Sequence, residues 1–138
     1  MLILLMLLAV ADKAVADKPD LDGVRSQIQG LYEDIRQMRA QSTTSADVDA
    51  LQAVRYTPDW TFVDKSGQAH TWEEVRQQHI DALAHQSRDA WYQPIQKLTL
   101  SGDGNMATIL ITEQGVRYED SWVKAGDSWK MKTRRQLE

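Results

Sequence analysis

The apolar positions of the chain change period along its length. Val24, Ile28, Leu31, Ile35 and Met38 recur at spacings of three and four, with Tyr32 beside them, which predicts one amphipathic helix. The polar stretch Gln41 to Ser45 breaks it, and Ser45 or Asp47 suits the N-cap of a shorter helix carrying Val48, Leu51 and Val54. Pro58 stops that helix and a period of two takes over. Trp60, Phe62 and Asp64 share one strand face, Thr61 and Val63 the other. Ser66-Gly67 turns the chain. Thr71 and Glu74 have capping-box spacing and open a third helix, whose inner side carries Trp72, Val75, His79, Ile80 and Leu83.

From Trp91 onward strand follows strand. Trp91 to Leu100 and Met106 to Thr112 flank the Gly- and Asp-rich loop Ser101 to Asn105. Two more strands, about Tyr118 to Lys124 and Trp129 to Arg135, flank Ala125-Gly126-Asp127. Lys130, Lys132, Arg134 and Arg135 cluster near the C-terminus and alternate with Trp129, Met131 and Thr133, so the basic cluster reads as the solvated face of the last strand. Helices first and an antiparallel meander afterwards predict an α+β fold with the helices on one sheet face.

The start of the chain has a different pattern. Leu2 to Val10 is apolar but too short to span a bilayer as a helix, and Ala14-Val15-Ala16 offers a cleavage site before Asp17. Residues 1–16 therefore read as a signal peptide and 17–138 as one domain, periplasmic or secreted, with no stable membrane anchor after cleavage. Ala9-Val10-Ala11 is a second cleavage site, because Ala-Val-Ala-Asp-Lys occurs twice. No Lys or Arg precedes the apolar run, so an uncleaved hydrophobic N-terminal helix stays as the alternative.

Composition narrows the chemistry. A length of 138 residues fits a single core, and 42% apolar against 26% charged residues excludes a disordered chain. A formal net charge of -4 argues against a nucleic-acid binder. The absence of cysteine excludes thiolate catalysis, disulfides and cysteine metal sites. No histidine pair has zinc-site spacing with a third ligand nearby, and no Gly-rich phosphate loop occurs, so neither metal nor cofactor is expected.

Two helices, a strand ending Phe62-Val63-Asp64 before a Gly turn, a capped third helix and a meander closing with Asp120-Ser121-Trp122, a turn and Trp129 together resemble the nuclear-transport-factor-two-like superfamily. Within it the sequence is most similar to SnoaL-like and ketosteroid-isomerase-like small bacterial domains, over roughly Leu21 to Gln136. The resemblance implies a cone: a curved antiparallel sheet with about three N-terminal-side helices packed on its concave face and an open end for a ligand. It also implies pairing through the outer sheet face, hence a homodimer. Isomerases, cyclases, dehydratases and plain binding modules all use this fold, so it selects none of them. By motif, Asp64 falls at the proton-shuttling carboxylate of the steroid isomerases, Asp120 at their protonated late-strand acid and Tyr32 near their oxyanion-holding tyrosine.

The residues themselves leave alternatives open. Asp64 shares a face with Trp60 and Phe62, and Asp120 with Tyr118 and Trp122; facing inward, either carboxyl would be desolvated and its pKa raised. Asp64 also precedes Lys65-Ser66-Gly67, where Asp forms turns. Asp120 also reads as an acceptor for Tyr118 or an indole, Tyr32 as a core residue beside the stripe, and His79 as a hydrogen-bonded core histidine. Trp60, Phe62, His79, Trp91, Tyr118 and Trp122 are the candidates to touch a small apolar or aromatic ligand. The leading expectation is an exported ligand-binding domain. The alternatives are an isomerase, cyclase or dehydratase using Asp64, Asp120 and Tyr32, and a homodimeric interaction module.

Overall fold

The computed structural model describes residues 20–84 and 93–137; the apolar N-terminal segment, His85 and Trp91 lie outside them. The first stripe forms helix α1, Leu21–Gln41, and buries Ile28, Leu31, Tyr32 and Ile35 on one side. It ends where Ser42 turns extended, its hydroxyl donating to the Met38 carbonyl at 2.6 Å. Helix α2, Ser45–Arg55, is capped one residue earlier than the sequence suggests. Thr44 accepts from the Asp47 amide while the Asp47 carboxylate takes the Thr44 amide, a reciprocal box. Val48 and Leu51 point inward, but Val54 is exposed. Helix α3, Trp72–Ala82, begins at Thr71, whose hydroxyl accepts from the Glu74 amide. The Glu74 carboxylate contacts His70 instead of reaching back, so only half of the expected box forms.

The strands are β1 (Tyr56–Val63), β2 (Ala69–Thr71), β3 (Lys97–Leu100), β4 (Met106–Glu113), β5 (Val116–Ala125) and β6 (Ser128–Gln136). They form one sheet in the order β2-β1-β6-β5-β4-β3. The expectation of a purely antiparallel sheet needs correcting. The meander β3 to β6 is antiparallel throughout, but its last strand docks alongside β1 in parallel. Pro58 does not end α2; it sits inside β1, exposed, where the β1–β6 register is irregular and its missing N–H is tolerated.

Two local devices aim side chains. Gln114 and Gly115, both with positive φ, form a two-residue hairpin loop that leaves Glu113 at the end of β4 on the same face as Ala107, Ile109 and Ile111. In β6, Ser121 pairs with Thr133 but Trp122 pairs with Met131, so Lys132 is an extra residue, a β-bulge. After the bulge the alternation is rephased: Met131 and Arg134 both face the helices. Arg134 is therefore buried, correcting its reading as part of a solvated basic face.

The concave face packs on α1 through Ile28, Tyr32, Ile35, Ile109, Ile111, Trp122 and Met131. The opposite face carries one hydroxyl residue from every strand in a single row, Thr99, Thr108, Ser121, Thr133, Thr61 and Thr71. Paired guanidinium–carboxylate contacts tie the helices together, Arg55 to Asp34 and Arg76 to Asp49. Among the described residues no helix is long and apolar enough to cross a membrane.

Candidate functional site

Helix α1 fills only part of the concave face. Over β1 and the ends of β4 to β6, a cavity of about 260 Å³ remains, roofed by α2 and α3. Tyr56, Trp60 and Phe62 of β1 and Trp72 and Val75 of α3 supply most of its apolar wall. The rings interlock: Tyr56 and Trp60 lie 5.2 Å apart, and Trp60 meets Trp72 edge-on at 5.9 Å. The Trp60 indole nitrogen is buried and has no hydrogen-bond partner among the described residues.

The other end of the cavity is polar. Arg39, Glu113, Arg134, Tyr118 and His79 meet there. Glu113 is held between two guanidinium groups, Arg39 on one oxygen and Arg134 on the other. Burial pushes its carboxyl up, but the two arginines outweigh burial and bring it down to about 2. Arg134 continues to Asp120, donating from Nε to Oδ1 and from Nη2 to Oδ2, each at 2.9 Å. Its guanidinium also lies 4.0 Å from the centre of the Tyr118 ring. Tyr32 donates to Asp120 Oδ2 at 2.5 Å and accepts from the Trp122 indole at 3.0 Å. Burial and the Asp120 charge raise the Tyr32 pKa well above that of an ordinary phenol, so it stays a donor.

His79 stacks beside Trp72, ring centres 5.2 Å apart. Burial, with the charges of Arg39 and Arg134 adding to it against Glu113, lowers its pKa to about 4. It is a neutral imidazole at physiological pH.

These placements sort the sequence candidates. Trp60, Phe62, His79 and Tyr118 do line the cavity. Tyr32 and Asp120 hydrogen-bond each other behind Arg134, wholly buried and not against the cavity. Both Asp120 oxygens accept from Arg134, and Asp120 does not line the cavity. Trp122 belongs to the core under α1, edge-on to Tyr32 at 5.2 Å. Trp91 lies outside the described residues. Asp64 is not at the cavity: it closes the turn after β1. Its Oδ1 accepts from the Ser66 amide, the Ser66 hydroxyl and the Gln68 amide, and its Oδ2 meets His70 at 2.9 Å. Those contacts, His70 foremost, hold its carboxyl far below the usual range. Burial would have raised it; the turn does the opposite. Asp64, Asp120 and Tyr32 therefore do not converge on one cavity.

Arg39 and Glu113 escaped the sequence reading although each had a signal. Arg39 continues the stripe four residues after Ile35, and Glu113 continues the alternation Ala107, Ile109, Ile111. A charge standing in an apolar phase was the clue. Among the described residues, no group of three His, Asp or Glu side chains is arranged to hold a metal ion.

No protein-family model matches the sequence, and no curated protein does. Solved structures do match. A protein of unknown function from Methylobacillus flagellatus, described as NTF2-like, is 12% identical with a TM-score of 0.58, over 87% of this chain and 94% of its own. A second such protein from Silicibacter pomeroyi is 11% identical with a TM-score of 0.51, over 91% and 96%. A protein from Novosphingobium aromaticivorans, provisionally named a scytalone dehydratase, is 12% identical with a TM-score of 0.56, over 80% of each chain. At such identities the likeness extends to the fold and no further.

Proposed function

From the NTF2-like cone that this chain adopts, we propose that it is an exported domain that binds one small, largely apolar planar molecule between its aromatic walls. The observation that carries this reading is the unfilled aromatic cavity over β1. A void of about 150 Å³ lined by apolar side chains takes up benzene, so 260 Å³ has room for a fused bicyclic ligand. Trp60 and Trp72, edge-on to each other, would form one corner of the wall against which such a ring packs, where offset or edge-on stacking adds to the burial term.

Catalysis is not part of the proposal. The carboxylate suggested as a proton shuttle is engaged in its turn, and an imidazole of pKa about 4 is a weak base for carbon acids. Neutral 2-naphthamide is expected to quench tryptophan fluorescence saturably with one site per chain. Trp72→Ala should weaken it roughly ten-fold, equivalent to about 1.4 kcal/mol. Quenching that does not saturate, or that Trp72→Ala leaves unchanged while the thermal midpoint is held, would exclude the pocket reading.

Export is supported by the apolar run and the Ala-Val-Ala site before Asp17. Amino-terminal sequencing of protein recovered from outside the bacterial cytoplasm should begin at Asp17 or Asp12; an intact Met1 in that fraction argues against cleavage.

A further inference from the structure

Helix α3 is a lightly anchored part of the cavity wall. It supplies Trp72, Val75, Gln78 and His79 to the lining, yet of its 11 residues only Val75 is buried. Helix α1, by contrast, buries four. An element with so little buried apolar contact opens locally at low cost, so polar ties carry more of its attachment. Those at its amino-terminal half are the Thr71 cap, the Arg76 contact with Asp49 of α2, and a contact between Glu74 and His70 of β2.

The tie through His70 depends on a proton. Its Nε2 lies 2.9 Å from Asp64 Oδ2 and its Nδ1 3.2 Å from Glu74 Oε2. A carboxylate only accepts, so each ring nitrogen must carry a hydrogen, and only the imidazolium carries two. The charged ring thus bridges the turn after β1 to the first turn of α3. Its flank meets Phe62 of β1, itself part of the cavity wall, with ring centres 6.2 Å apart. The charges that act on it most are both negative. The Asp64 hydrogen bond, and after it Glu74, outweigh desolvation and raise its pKa above that of an ordinary histidine. The two carboxylates are held unequally. Asp64 is fixed by the Ser66 amide and hydroxyl and the Gln68 amide, whereas the Glu74 side chain is 57% exposed. When the ring becomes neutral, one nitrogen turns a lone pair toward an anionic oxygen. Asp64 keeps its hydrogen bond from Nε2, and Glu74 turns to water.

We propose that His70 is a proton-operated latch on the cavity: as imidazolium it ties the first turn of α3 to the turn after β1, and on losing its Nδ1 hydrogen it releases Glu74 and loosens α3 at its amino end. As regulation of ligand binding this rests on the pocket reading above, whereas the latch itself stands on the two contacts of the ring. Because the folded pKa is raised, the tie is complete below the ordinary value of 6.5 and is lost as pH rises through the folded value. His79, with a pKa of about 4, stays neutral throughout that range. Affinity for an occupant beneath α3 falls on the alkaline side, because a loosened wall must be reordered before it binds.

Nitrogen-15 NMR of the purified protein between pH 5.5 and 9 reads both ring nitrogens of His70. Two protonated nitrogens are expected at pH 6 and the Nε2–H tautomer at pH 9. Hydrogen exchange at the amides of residues 75–78, normalised for the intrinsic rate, should lose protection roughly three-fold across the same transition, the scale of one exposed ion pair. Affinity for 2-naphthamide should weaken by a similar factor. Glu74→Gln alters an exposed side chain and leaves the Thr71 cap, which holds the Glu74 amide, in place. In that variant both quantities should be flat with pH and equal to those of the natural chain at pH 9. A neutral His70 at pH 6, or protection at pH 6 that Glu74→Gln does not reduce, overturns the latch. Lost protection with unchanged affinity overturns its control of the cavity. Absence of 2-naphthamide binding at every pH overturns the pocket reading and that control with it, and the exchange data then decide the latch alone.

Discussion

Replacing Arg134 by methionine is expected to lower the thermal unfolding midpoint by roughly 10–15 °C, the shift that a loss of about 3–5 kcal/mol produces in a domain of this size. Methionine fills much of the same volume but cannot neutralise anything. Asp120 would lose both its guanidinium bonds while fully buried, and Glu113 would keep only Arg39. An uncompensated buried carboxylate costs several times what a surface ion pair contributes, so the charge effect outweighs the packing effect. The double variant Arg134→Met with Asp120→Leu removes the orphaned charge and should recover a measurable part of the loss. A midpoint lowered by less than about 3 °C in the single variant would mean that the row is not buried as described.

The second large effect concerns acid. His79 has an ordinary unfolded pKa of 6.5 and a folded value of about 4, so between those values the unfolded chain binds a proton that the folded chain does not. Stability must therefore fall as pH drops from 6.5 to 4, by up to about 3 kcal/mol at 1.36 kcal/mol per unit. The charged groups acting on His79 are Arg39 of α1, Arg134 of β6 and Glu113 of β4, with Trp72 of α3 against its ring. Glu113 also destabilises in acid, but lower, as pH falls from 4.5 toward 2. His70 works in the other direction: Asp64 and then Glu74 raise its pKa, and its contribution fades as pH rises through that value. Urea midpoints at pH 7, 6, 5 and 4.5 should decline steeply for the natural chain and be nearly flat for His79→Gln. Parallel curves for the two would show that His79 is solvated.

How far the sequence could be read depends on which signal each element used. Helix stripes and caps are local, and α1, α2 and α3 follow them to within a residue or two. Hairpin loops are local as well, which is why the meander was legible. The parallel pairing of β1 with β6 is not local; it depends on which edge of the meander meets the first strand. Arg134 was hidden for a related reason. Its phase is set by one extra residue, Lys132, whose only signature is the register against β5. Asp64 had two consistent readings, a strand-face acid and a turn former, and four close acceptor contacts in the turn decide between them. The aromatic content of the cavity was visible in Trp60 and Phe62. Its emptiness was not, because void space depends on three-dimensional volumes rather than on pattern.

The sheet is bounded by its two shortest strands, β2 with three residues and β3 with four. Each presents only a brief ladder of unpaired amides to its surroundings, and β5 and β6 pair with a strand on both sides, whereas β2 covers β1 only over Thr61–Val63 and β3 covers β4 only over Ala107–Leu110. A passing extended chain finds little to zip onto at either border. What shields the uncovered part of β1 is its own Pro58, which has no amide hydrogen to offer an added strand.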